Sequence, residues 1–146
     1  MKVESLAAFL SGEENLSAFK SEISPEVRES ARLGGIPGST VPITVEESGA
    51  GPFIIGAKEV RRLCAAFVDG DLSTDELAYI SDAMQLSESF EWSEPIYFEM
   101  VFSMSDPAIN GPFTVEAGQA LLSQLGPPNL PFNPDPRKRW PVNFIR

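Results

Sequence analysis

At 146 residues the chain has the length of one domain able to bury a real core. Its formal charge is −10, it has no histidine, and Cys64 is its one cysteine. These absences exclude Ser-His-Asp and Cys-His nucleophile systems, histidine and thiolate zinc sites, and an internal disulfide. The sequence has no GxGxxG and no GxxxxGK[ST], so the common nucleotide-binding loops are missing and no cofactor or metal site is expected. The longest apolar runs, such as Leu63 to Val68, are far too short to span a bilayer. The opening "MKVESLAAFLSGEEN" is a poor secretory signal, which points to the cytoplasm.

In chain order, Val3 to Leu10 reads as a short amphipathic helix with Leu6, Phe9 and Leu10 at helical spacing, ended by Gly12. A second helix is expected from about Glu13 to Glu22. Ser24-Pro25-Glu26-Val27 then reads as a fresh start that runs to Leu33 and stops at Gly34-Gly35. Residues 34 to 52 are rich in glycine and proline. "VPITVEES" and "PFIIG" have strand composition, so either a small β-hairpin or an extended surface loop is expected there.

From Ala57 to Val68 the helical pattern returns. Val60, Leu63, Cys64 and Phe67 share one face, which makes Cys64 a small core residue rather than a reactive thiol. Another helix covers about Thr74 to Leu86, and "SESFEWSEP" reads as a link. The segment from Pro95 to Met104 is apolar nearly all round, as expected of a helix at the domain centre or under a partner. "SDPAINGPFT" is turn chemistry, and Thr114 caps a last helix to about Leu125. From Gly126 onward, six prolines in 21 residues exclude regular helix. Residues 127–146 read as a strap packed by Leu130, Phe132, Trp140 and Phe144, or as a tail. The fold expected is mainly α. Residues 1–126 would form one compact helical domain of antiparallel helix hairpins.

The charge is unevenly placed. From Met1 to Arg62 there are nine acids and seven bases; from Leu63 to Pro136 there are twelve acids and no lysine or arginine. Such a field repels nucleic acid and anionic membranes and attracts a basic protein. Within it, "DGDLSTDE" (Asp69 to Glu76) has the look of a calcium loop. Asp69, Asp71 and Ser73 would occupy ligand positions 1, 3 and 5, but Thr74 replaces the required glycine and Ile80 the bidentate glutamate. The stretch reads better as a helix hinge: Gly70 stops one helix, and Ser73 with Glu76 forms a capping box for the next. "LAAFLSGEENLSAF" (Leu6 to Phe19) echoes "CAAFVDGDLSTDEL" (Cys64 to Leu77).

The pattern of helix, "FVDGDLSTDEL", helix and later "SDPAINGPFT", over about residues 60–116, resembles small bacterial proteins. Its first part is similar to the helix-pair segment of colicin D-type immunity proteins, which bind and neutralise a toxic nuclease made by the same or a neighbouring cell. The distinctive element is the hinge of Phe67, Gly70, Leu72 and Ser73, which transfers fold better than function. The glycine-rich region and the proline-rich end depart from that family.

Three readings follow. The first is a non-catalytic acidic binding protein with a basic protein partner, in its sharpest form an immunity-type inhibitor of a toxin domain. Its binding residues would be Asp69, Asp71, Asp75, Asp82, Glu88 and Glu91 on one acidic face, with Phe90 and Trp92 as aromatic anchors. The second is a structural or regulatory module that dimerises through the helix at 95–104. The third is a paired-carboxylate enzyme using Glu91, Glu94 and Glu99, each more simply read as a solvated or helix-start charge.

Overall fold

The computed structural model describes residues 1–34, 43, 45–47, 52–105 and 110–126. The proline-rich stretch 127–146 lies outside the described residues, as do four of the eight residues of "VPITVEES". The described chain is mainly helical, with six helices and two short strands: α1 (Val3–Ser11), α2 (Leu16–Gly34), β1 (Phe53–Ile55), α3 (Ala57–Val68), α4 (Thr74–Leu86), β2 (Phe90–Trp92), α5 (Pro95–Ser103) and α6 (Val115–Leu125). None of these helices is long and apolar enough to cross a membrane.

The second helix departs from the sequence reading. Ser24-Pro25 does not restart a helix, because α2 runs through Pro25 without a break. Phe19, Ile23 and Val27 follow one another at four-residue spacing and are all buried. That continuous apolar stripe outweighs the local start signal, and the proline is carried at the cost of one backbone hydrogen bond.

The hub of the domain is α3. It packs against α1, α4, α5, α6 and β1, and Val60, Leu63, Cys64 and Phe67 are buried on it as their spacing requires. Closest approach is to α6, where Gly118 forms a notch: a Cβ there would lie 2.6 Å from Val68 Cγ2. The Cys64 thiol donates to the Gly118 carbonyl at 3.3 Å across the same contact. The central position belongs to α3 rather than to the apolar helix at 95–104. The latter, α5, buries Tyr97, Met100 and Val101 but leaves Phe98 exposed.

Among the described residues, "PFIIG" takes part in no hairpin. Phe53–Ile55 pairs in parallel with Phe90–Trp92, in the register Phe53 with Phe90, Ile54 with Glu91 and Ile55 with Trp92. The connection is the α3–α4 pair, because parallel strands need a long crossover. The segment read as a link, "SESFEWSEP", therefore contains a strand. From the glycine-rich region, Glu46 makes a separate parallel bridge with Lys2.

The internal echo is structural as well as sequential. Gly12 and Gly70 both adopt the left-handed conformation, at φ 88° and 84°. Gly12 N–H donates to Phe9 O at 3.1 Å and Glu13 N–H to Ala8 O at 2.9 Å; Gly70 N–H donates to Phe67 O at 3.0 Å and Asp71 N–H to Ala66 O at 2.8 Å. Both are Schellman turns. The next helices are capped alike: Asn15 Oδ1 accepts from Ala18 N–H at 2.8 Å, and Ser73 Oγ accepts from Glu76 N–H at 3.1 Å. Corresponding helices meet, α1 with α3 and α2 with α4.

Candidate partner-binding groove

Where β2 passes into α5, the chain forms a shallow groove of about 640 Å³ lined by Phe90, Glu91, Trp92, Pro95, Phe98 and Glu99. Its floor follows from the two strands. The ladder is closed at its ends by Phe53 N–H to Ser89 O at 2.8 Å and Ser93 N–H to Ile55 O at 2.9 Å. The Phe53 and Phe90 rings pair across it at 6.1 Å. Pro95 at the first helical position turns the chain directly into α5. Trp92 and Phe98 meet edge to face, at 5.3 Å and 88°. Phe98 and Phe102, one turn apart on α5, stack at 6.5 Å. The inner face of α5 is closed by Tyr97, whose phenol is raised by burial first and then by Glu94, with Arg61 opposing.

The loop leading into the groove is held from a distance. The Glu47 carboxylate accepts from the Ser87 hydroxyl at 2.9 Å, from Glu88 N–H at 3.1 Å and from the Ser89 hydroxyl. These donors, Ser89 foremost, hold the Glu47 carboxyl below the usual range against the opposing effect of burial.

Seven of the eight residues expected to bind a partner fall into two groups at opposite ends of α4, which is 13 residues long and so spans about 20 Å. At its start lie Asp69, Asp71 and Asp75, all exposed. Asp69 and Asp71 line a second groove of about 570 Å³, together with Lys58, Arg61 and Arg62. Lys20 also reaches this turn, donating to the Asp71 carbonyl at 2.7 Å and pairing with Glu76 at 3.6 Å. The hinge acids thus sit among cations from the first part of the chain. Asp82 is half-buried along α4.

The second group is Glu88, Phe90, Glu91 and Trp92. Phe90 is buried in the floor, Trp92 is half-buried, and Glu88 and Glu91 are exposed. Among the described residues, no lysine or arginine lines this groove. The ion pairs among the described residues, Met1 with Glu26, Lys20 with Glu76 and Arg32 with Glu29, lie on other elements. Glu99, considered only as an enzyme carboxylate, joins Glu91 here, while Glu94 sits at the N-cap of α5. No metal-sized cluster of acids or cysteine occurs among the described residues.

Phe98, Pro95 and Glu47 were not anticipated. Phe98 had a signal, since a helix apolar all round must bury every face or leave one for a partner. Glu47 had none, because its three donors are 40 to 42 residues away in the chain. The exposed large apolar side chains among the described residues are Ile54 on β1, Leu86 at the end of α4, Phe98 on α5 and Val115 at the start of α6. Comparison with family models, with curated proteins and with solved structures finds no match to the chain.

Proposed function

We propose that the chain is a non-catalytic binding protein that docks a basic protein on the β2–α5 groove. In its sharpest form this is an immunity-type role: the partner is a basic nuclease toxin, neutralised in the cytoplasm. The supporting observation is the pairing of aromatic walls, Trp92 and Phe98, with the carboxylates of Glu91 and Glu99, in a groove that no cation of the described chain lines. Nucleases are basic because their substrate is anionic, so carboxylates around an aromatic anchor can take the substrate's place. The hinge acids, already among lysine and arginine side chains, have less to offer such a partner.

The test is a calorimetric titration of the full chain with a basic toxin domain encoded beside it. Binding is expected to weaken as salt rises from about 0.05 to 0.5 M, where screening shortens from roughly 14 Å to 4 Å. The pair Glu91→Lys and Glu99→Lys is expected to weaken it by about a hundredfold or more, an effect of roughly 3 kcal/mol. A complex indifferent both to salt and to that double substitution would count against the groove. A second reading, dimerisation through α5, draws on Phe98 being 39% exposed and Ile54 52% exposed. Light scattering separates the two: a dimer that Phe98→Glu dissociates would favour self-association.

A further inference from the structure

We infer that the β2–α5 groove selects an arginine side chain of its partner, rather than positive charge in general. This rests on the reading that the groove is the docking site. Trp92 and Phe98 stand at 88° with their centroids 5.3 Å apart, giving two aromatic walls at a right angle. Phe98 is held in place by stacking on Phe102 at 6.5 Å, one turn along α5. Glu91 and Glu99 both line the same groove. A guanidinium is planar and weakly hydrated. It can lie flat on one ring and direct its in-plane N–H donors at carboxylates beside that ring. A lysine ammonium is a compact, strongly hydrated point charge that gives up more water to enter the same corner and cannot stack. The volume, about 640 Å³, is in the range of ligand sites and large enough for a side chain with its flanking backbone. Its open, shallow form suits a protruding side chain of a protein better than a small free molecule.

The other groove, beside Lys58, Arg61 and Arg62, is not of this kind. There Arg62 already lies 4.8 Å over the Phe9 ring and donates to the Phe9 carbonyl, and Arg61 donates to the carbonyls of Leu125 and Gly126 at 3.0 and 3.2 Å. The chain itself there shows an arginine resting on an aromatic face.

The experiment uses the full chain labelled with ¹⁵N, followed by NMR during titration with three short capped Gly-Xaa-Gly-Xaa-Gly peptides in which Xaa is arginine, lysine or citrulline. Citrulline keeps the planar shape and removes the charge. The arginine peptide is expected to shift the Trp92 indole N–H and the amides around Phe98 and Glu99, and to bind about threefold to tenfold more tightly than the lysine peptide. The citrulline peptide is expected to leave those signals in place. Phe98→Ser should remove the preference for arginine. Glu99→Gln, at an exposed position where folding is not at risk, should weaken arginine binding by about threefold or more.

Equal affinity for arginine and lysine peptides would overturn the inference while leaving the groove as a docking site for basic partners. Absence of any groove shift with either cationic peptide would overturn both. Binding of the citrulline peptide as tightly as the arginine peptide would also overturn it, since stacking without charge would then suffice.

Discussion

Cys64 shows how far a single side chain is defined by its surroundings. It is fully buried, its thiol donates to the Gly118 carbonyl, and burial pushes its pKa up to about 12. The native protein is therefore expected to resist thiol-specific reagents at about pH 8 and to react only after unfolding, where the ordinary thiol pKa is near 8.5. Rates of labelling with and without denaturant check this. Because the folded pKa is raised, the stabilisation is fully present below about pH 8.5. It is lost as pH rises toward 12, by at most about 1.4 kcal/mol per pH unit. Glu47 has the opposite sign. Its carboxyl is held low by the Ser89, Ser87 and Glu88 donors. Its contribution is present above the ordinary glutamate range and is lost as pH falls through its lowered folded value. Glu47→Gln is expected to speed amide exchange at residues 87–89 at neutral pH and to leave the exchange of α3 unchanged. Equal exchange in both proteins would show that the clamp does not hold the loop.

At the scale of elements, the two turns behave as copies. Gly12 and Gly70 sit at the same left-handed position of the same Schellman turn, each with open space around a would-be Cβ. Gly12→Ala and Gly70→Ala are thus expected to destabilise equally, by about 1 kcal/mol each, through backbone strain alone. Urea unfolding measures both, and a difference well above 1 kcal/mol would show that the repeat is only apparent. Pro25 offers the contrasting case. Inside a helix it removes the hydrogen bond to the carbonyl of Ser21, an effect of up to about 3 kcal/mol. Pro25→Ala is expected to raise stability by about 1 kcal/mol or more, and a loss of stability would mean that α2 depends on a bend at that point. The helix boundaries at Gly12, Ser73, Pro95 and Thr114 were legible because caps and stops act over three or four residues. Pro25 was misread because a start signal is also local, while the buried stripe of Phe19, Ile23 and Val27 that overrides it acts through packing.

For the whole molecule, the decisive feature is where charges of each sign come together. The absence of bases between Leu63 and Pro136 is a property of the chain, but bases from before it come to part of its surface. Lys20, Lys58, Arg61 and Arg62 come from the first part of the chain to the hinge end of α4, whereas the β2–α5 groove is lined, among the described residues, by carboxylates without any of them. Reversing charge at the hinge, with Asp69→Lys and Asp71→Lys, is accordingly expected to change the affinity for a basic partner by less than about threefold. A titration that shows the hinge pair mattering as much as Glu91 and Glu99 would relocate the site. Read along the chain, local chemistry settles the helical class, the core face of α3 and the Asp69–Glu76 hinge. It also rules out histidine and disulfide chemistry. The parallel pairing of Phe53–Ile55 with Phe90–Trp92, the right-angled Trp92–Phe98 corner and the Glu47 clamp arise otherwise. Each joins residues on different elements, and no spacing within one segment records which distant partner will satisfy its hydrogen bonds or cover its rings.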